Sequence, residues 1–553
     1  MPAIIAMLLL GIGAFPSTQV PAPPSDFEAK VDRIFMSWNK PNVPGAAVVV
    51  VRDGRVVLVK GYGCADLERR VPITPKTLFD PASLAKSFTA FAVLKLQAQG
   101  RLSLDDDVRK HLPEFPDFGR RVTVRHLLHH TSGLRDWGGL VQMSDGRMDD
   151  VFTSPMILKI LFRQRELHFD PGTEFAYCNA GYILLAEIAA RAAGRSFKEW
   201  TRAEIFAPLG MATAVFRDDI GAVFPESAQS YERTRDGRYS PVPNNAATPG
   251  PGSLFISADD MGLWLAALQN HPGESPQFWS ALFERGKLSD GSEVPYAAGF
   301  IPGEYKGLPI FAHSGRWAAF QSEMVYCPER RFAVAVLANH SAIVPSAITR
   351  RIIDIELEGR FPPAPAAGPG IKLNPGVLDA YTGRYWLRGE QTIVVSRMDN
   401  RLFAQASGDQ PWEIFPESED VFAYRITDAK IRFHRAAEGK IDRMTHIQGA
   451  VFLRAERLPE SPGTTPDLSE YTGRFQSDEL DVVLEIRKDE KGLIAKFPRR
   501  GDLVLVPMAE NMFAGRESSA KFYFARGPDG KIGELRFSLL DAWNVLFRKI
   551  KQI

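Results

Sequence analysis

Two apolar, β-branched runs, Ala47–Arg52 and Arg55–Lys60, flank Asp53-Gly54 early in the chain. That dipeptide favours the tight turn joining antiparallel strands, so the segment predicts a hairpin. From Ser83 to Gln99 the rhythm changes: Phe88, Phe91, Ala92 and Leu94 recur at helical intervals, and Gly100 stops the run. Val122–Leu128, Asn179–Ala193 and Asp259–Leu268 carry the same periodicity. Ile310–His313, Gln321–Cys327 and Phe332–Asn339 predict strands, and Ser346–Glu358 a closing helix. Strands at both ends of this region with helices between them imply an α+β domain: one antiparallel sheet flanked by helices, with a helical subdomain inserted.

A Pro/Ala/Gly stretch, Phe361–Gly370, then marks a linker by composition. Beyond it helical periodicity disappears and short alternating segments take over. They also repeat: Leu378-Asp379-Ala380-Tyr381-Thr382-Gly383-Arg384-Tyr385 returns as Leu468-Ser469-Glu470-Tyr471-Thr472-Gly473-Arg474-Phe475. Two all-β units of about 85 residues fit small antiparallel barrels or sandwiches. The expected layout is a signal-like segment with its linker (1–24), the α+β domain (25–358), a linker (359–372), one β unit (373–458), a second linker (459–466) and a second β unit (467–553).

Composition narrows the function. With 553 residues and a net charge of +1, no global field draws the chain to nucleic acid or to anionic membrane. The three cysteines, Cys64, Cys178 and Cys327, are odd in number and widely spaced, which argues against a disulfide framework. The apolar run Ile4–Phe15 is too short to span a membrane and precedes a Pro-rich stretch. It resembles a secretory signal without a basic n-region, so periplasmic or secreted localisation is the expectation and a cytoplasmic protein the alternative.

Candidate chemistry comes from three motifs in order: Ser83-Leu84-Ala85-Lys86, Tyr177-Cys178-Asn179 and His313-Ser314-Gly315. Ser83 lies where Asp80-Pro81-Ala82 enters a helix, and the i, i+3 spacing puts the Lys86 amine on the face of the hydroxyl. Burial and the helix dipole both disfavour an ammonium there, making Lys86 a candidate neutral base. The Ser83 N–H can serve an oxyanion. Tyr177 can relay protons, and Asn179 can bridge Lys86 to a substrate. Set between two strand-like runs, His313 and Gly315 can line an extended substrate while Arg316 offers a second oxyanion N–H. The bland alternatives are a helix cap at Ser83, a core tyrosine and a core histidine. His126, His129 and His130 lack a nearby acidic ligand for a metal, and Cys178 lacks an obvious histidine partner.

These motifs resemble the penicillin-recognising serine hydrolases, a family of class C β-lactamases, D,D-peptidases, esterases and D-aminopeptidases. Val124–Leu134, Pro208-Leu209-Gly210-Met211 and Ser257-Ala258-Asp259-Asp260 support the likeness. It implies Ser83 as acylated nucleophile, Lys86 and Tyr177 as proton carriers, and Asn179 and His313 as substrate-binding groups. A serine domain followed by two lipocalin-like barrels resembles the D-aminopeptidase branch, as do Ser132–Trp137, Phe175–Asn179 and Gly473–Asp481. That branch implies acidic groups reading a free amino terminus, yet Thr248–Ser253 contains none, and the loop near Ala514–Ser518 is short. The function expected is a serine hydrolase acting through an acyl-enzyme on small amides or peptides. The alternatives are an esterase, a D,D-peptidase or weak β-lactamase, and a non-catalytic penicillin-binding sensor or carrier. No cofactor or metal is implied; the expected partner is a small-molecule or peptide substrate, with no nucleic acid and no membrane span, and a homodimer is left open.

Overall fold

The computed structural model describes residues 26–362, 371, 373–388, 391–425, 429–436, 438–448, 451–459 and 467–551. The signal-like segment 1–24 and most of both expected linkers lie outside the described residues.

The hairpin forms as the pattern predicts, Ala46–Arg52 pairing with Arg55–Tyr62. Asp53 and Gly54 both take positive φ, 49° and 71°, the twist that a two-residue hairpin turn requires. This hairpin completes a six-stranded antiparallel sheet ordered Ile301–Tyr305, Leu308–Trp317, Phe320–Cys327, Phe332–Ala338, Ala46–Arg52, Arg55–Tyr62. The two ends of the domain thus share one sheet. Ala46–Arg52 reads as an unbroken apolar run because both its faces are covered. Val48 and Val50 meet Ile348, Ile352 and Phe35 of the terminal helices Asp26–Phe35 and Pro345–Glu356. Ala47, Val49 and Val51 join Phe88, Phe91 and Trp264 in a second core under the helices Ala85–Ala98 and Ala258–Asn270.

Two boundaries differ from expectation. The helix expected from Val122 begins at Val124, because the Thr123 side chain accepts the His126 N–H at 3.2 Å and caps it. The strand expected to end at His313 runs on to Trp317, with Gly315 opposite Ser322 and Arg316 opposite Gln321. Ser314-Gly315 resembles a strand stop in sequence, but Gly315 answers a steric demand described below.

Each repeat folds as a closed eight-stranded antiparallel barrel, Gly383–Arg388 through Val451–Arg457 and Gly473–Ser477 through Ala542–Ile550. The repeated octapeptide supplies the same device twice: a short 3₁₀ turn drops a tyrosine into the barrel. Tyr381 packs on Phe422 and Phe433, and Tyr471 on Phe513 and Phe524.

The last barrel docks on the serine domain through a buried ion pair. Arg135 donates to Glu479 at 2.5 Å and to the Trp543 carbonyl at 2.9 Å. Gly139 lets the helix Trp137–Met143 lie against the Leu539–Ala542 turn, where a Cβ would meet the Leu539 carbonyl at 2.3 Å. No helix among the described residues is long and apolar enough to cross a membrane.

Removing one partner of a buried ion pair strands the other, at a cost of about 3–5 kcal/mol. Arg135→Met is therefore expected to destabilise the docked barrel by that order. Calorimetry and limited proteolysis check it: a separate early transition is expected, whereas an unchanged single transition would contradict the docking role.

Candidate active site

Ser83 sits in a 3₁₀ turn, Ala82–Leu84, that feeds the helix Ala85–Ala98. Ala82 is held at φ 48°, a strained left-handed conformation for alanine. The buried Asp80 holds it there by accepting the Ala82 N–H at 2.8 Å, while its other oxygen accepts from Asn244 at 2.7 Å. Burial raises the Asp80 pKa to about 6, opposed by those two hydrogen bonds. Asn244 also accepts from the Trp317 indole at 3.1 Å, tying the nucleophile turn to the third-motif strand.

That strand comes very close. A Cβ on Gly315 would lie 2.1 Å from the Pro81 carbonyl and 3.0 Å from the Ser83 nitrogen, so only glycine fits. The neighbouring strand Ile301–Tyr305 pairs only as far as Ala312, leaving His313–Trp317 open on that side.

Lys86 is fully buried. Its Nζ lies 2.8 Å from Asn179 Oδ1, 3.2 Å from the Pro251 carbonyl and 3.0 Å from Ser83 Oγ. Desolvation lowers its pKa to about 7, and the nearby Asp136 charge opposes the fall. A neutral amine has two N–H groups and one lone pair. The two carbonyl oxygens can accept only, so the lone pair is left to the Ser83 hydroxyl. The segment Thr248–Ser253 thus contributes a main-chain carbonyl in place of an acid.

Asn179 begins the helix Asn179–Ala193. Its amide donates to Asp136 at 2.8 Å, which turns its oxygen toward Lys86. Asp136 also accepts from the Ala180 and Trp137 N–H groups at 2.8 and 3.0 Å. The Tyr177 hydroxyl is hydrogen-bonded to Ser83, and its ring centre is 4.8 Å from Lys86 Nζ. Burial raises its pKa despite that bond, so it is a neutral phenol rather than a tyrosinate. His313 is buried, its ring 6.2 Å from that of Tyr177. Its Nδ1 lies 2.7 Å from the Ser314 carbonyl and its Nε2 3.1 Å from the Tyr296 hydroxyl. Burial and then the Lys86 charge lower its pKa to about 3, so it is a neutral, fixed ring.

Ser83, Lys86, Tyr177, Asn179, His313 and Gly315 therefore meet around one point, and the Arg316 side chain stands exposed at its edge. Sequence reasoning did not single out Asp136, Asn244, Tyr296 or Asp541. Only Asp136 had a signal, as a polar residue ahead of Trp137 in helix-cap position; it caps that helix. Of the flagged histidines, His126 Nδ1 accepts from the Thr123 N–H at 3.2 Å and His130 Nδ1 from the Cys178 N–H at 3.1 Å.

The site opens on a cleft of about 1310 Å³ bounded by all three domains and lined by Tyr177, Asp541 and Trp543. Asp541 comes from the last turn of the second barrel. Its carbonyl accepts the Asp136 N–H at 2.9 Å, and the residue lines the cleft. Burial within the cleft and then the Asp136 charge raise the Asp541 pKa to about 7.

This arrangement of hydroxyl, neutral amine and phenol coincides with a family match. The family model described as Beta-lactamase matches residues 28–357. The chain belongs to the beta-lactamase family. Within that family it is a serine hydrolase whose likeness to D-aminopeptidases extends over most of its length. The D-aminopeptidase of Gluconobacter oxydans (strain 621H) is 31% identical over 452 residues, 80% of this chain and 82% of the relative. That of Brucella anthropi is 26% identical over 533 residues, 92% and 96% of the two chains. An octameric penicillin-binding protein homologue from Pyrococcus abyssi superposes with a TM-score of 0.53 at 26% identity, covering 78% of this chain and 100% of that one. A model described as Domain of unknown function (DUF3471) matches residues 371–458, the first barrel.

If Lys86 must be neutral to accept the serine proton, kcat/KM for an ester lacking an amino group should fall about tenfold per pH unit below pH 7 and level off above it. A pH–rate profile of acylation checks this; a flat profile across about pH 5 to 8, on either side of the Lys86 value, would exclude Lys86 as the base. Gly315→Ala is expected to lower kcat by about a hundredfold or more by moving the oxyanion donors, with the far-UV circular dichroism retained.

Proposed function

We propose that the protein hydrolyses amides and short peptides that carry a free amino-terminal D-residue, through an acyl-enzyme on Ser83. The observation that carries this reading is the pairing of a serine–amine nucleophile with a carboxyl group, Asp541, that lines the same cleft next to Asp136. A substrate ammonium beside Asp541 would restore the charge that burial suppresses and orient the scissile carbonyl. The similarity to D-aminopeptidases supports the stereochemical assignment.

In the proposed reaction the carbonyl oxygen enters between the Ser83 and Arg316 N–H groups. Lys86 takes the Ser83 proton as Oγ bonds to the carbonyl carbon. The Tyr177 phenol delivers a proton to the leaving nitrogen as the C–N bond breaks, and Lys86 returns its proton to Tyr177. Water, deprotonated by the same pair, then attacks the ester and frees the acid and Ser83. One oxyanion donor is worth on the order of a hundred- to thousandfold and a positioned base a similar factor. The export expected from the first residues fits a substrate met outside the cytoplasm.

Ser83→Ala should abolish turnover of D-alanyl p-nitroanilide without altering the thermal transition. Asp541→Asn should lower kcat/KM at least tenfold for that substrate, while the N-acetylated anilide, which has no ammonium, changes less than twofold. Equal loss on both substrates would remove Asp541 from amine recognition, and efficient turnover of L-alanyl anilide would overturn the D-specific reading.

A further inference from the structure

Opposite Tyr177 the cleft is walled by the outer face of the first barrel, and that wall is basic. Three adjacent strands, Lys430–Arg435, Ile441–Gln448 and Val451–Arg457, place Arg432 opposite Thr445 and Thr445 opposite Arg454. Two guanidiniums therefore flank one hydroxyl, itself 2.8 Å from His434 Nε2, in a row across the sheet, the spacing of directly paired residues being about 5 Å. All three side chains line the cleft.

The row is incompletely neutralised. Arg432 makes no ion pair among the described residues. Arg454 has Glu174 at 3.5 Å, but that carboxylate is held more tightly by Arg443 at 2.8 Å, which also meets Asp442 at 3.1 Å. Arg454 Nε is buried without a partner, and its guanidinium carbon lies 4.5 Å from the centre of the Trp543 ring, a cation–π contact. On the next row Glu456 is matched by Lys521 at 3.8 Å and by the Tyr523 hydroxyl. The positive potential registers on His434, whose pKa is lowered to about 3 by burial and then by Arg443, Arg432 and Arg454.

Glu174 also fixes the distance scale. It precedes Tyr177 by three residues, at most about 10 Å of extended chain, and bonds directly to the arginines. The basic row thus lies within reach of roughly one to three residues attached to the nitrogen that leaves from Ser83.

We propose that Arg432, Thr445 and Arg454 form a subsite for the terminal carboxylate of the peptide leaving group, so that the enzyme prefers short peptides with a free carboxyl end over the corresponding amides. This inference rests on the reading of the preceding subsection for the acyl side, but its recognition element is separate: the acyl residue faces Asp541, the departing peptide the first barrel. A carboxylate bridging two guanidiniums gains charge-assisted hydrogen bonds that a neutral carboxamide does not.

The test compares D-alanyl-glycine with D-alanyl-glycinamide on the full-length enzyme, and in parallel 3-acetoxybenzoate with 3-acetoxybenzamide. The wild type is expected to favour the acid of each pair by roughly tenfold in kcat/KM. Arg432→Glu, at an exposed position, should reduce that ratio to about unity or invert it while leaving the amides within about twofold; Arg454→Gln should lower it in the same direction. Equal turnover of acid and amide by the wild type, or a ratio untouched by both variants, would overturn the subsite. Failure of the D-aminoacyl reading would look different: neither dipeptide would be cleaved, and the ester pair would still report the acid preference.

Discussion

The structure depends on a fully buried lysine amine set between two accepting carbonyl oxygens and the Ser83 hydroxyl. Taking the Lys86 pKa from 10.5 to about 7 corresponds to a net penalty of roughly 5 kcal/mol, desolvation less the attraction of Asp136, that the folded protein bears when the amine is charged. Between about pH 7 and the ordinary lysine range the unfolded chain binds the extra proton, so this group's contribution to stability increases as pH rises through that window. Much of the surrounding architecture keeps that amine dry and aimed. Asn179 presents an oxygen because Asp136 holds its nitrogen, Pro251 presents a main-chain carbonyl, and the lone pair is left for Ser83.

The same network explains how the nucleophile and third-motif strand are locked together. Asp80 keeps Ala82 in its strained conformation, Asn244 links Asp80 to Trp317, and Ser322 donates to the Pro81 carbonyl at 2.6 Å. Apart from the local Asp80–Ala82 bond, these contacts join segments far apart in sequence, which is the kind of pairing that local patterns do not encode. The fold and the motif order were legible because hairpin turns, helical spacing and the duplicated octapeptide are local signals. The serine, amine, phenol and amide that converge at the candidate site were legible because their spacing follows chemistry. Asp541 was not, since an aspartate in a barrel turn looks like any solvated turn residue. Tyr296 was hidden because a buried tyrosine looks like any core aromatic, Asn244 because it looks like any loop amide, and the Pro251 carbonyl has no side-chain signature at all. The third-motif strand was shortened in the sequence reading because glycine there signals a stop, whereas its real meaning is the approach of two backbones.

The two sequence stretches that most strengthened the family likeness in the last barrel and the helical subdomain bond to one another. Arg135 lies in one, Glu479 in the other, and Arg163 adds a contact to Asp481 at 3.2 Å. The first barrel has a different relation to the site: it approaches through its outer face and through Glu174. One fold, used twice, thus supplies two unlike walls of the same cleft.

The hydrogen bond from the Asp136 N–H to the Asp541 carbonyl makes the second barrel's final turn a remote control on basicity. Loosen that turn and water gains a route to Asp136, Asn179 and finally the amine, whose proton affinity would climb back toward that of a surface lysine.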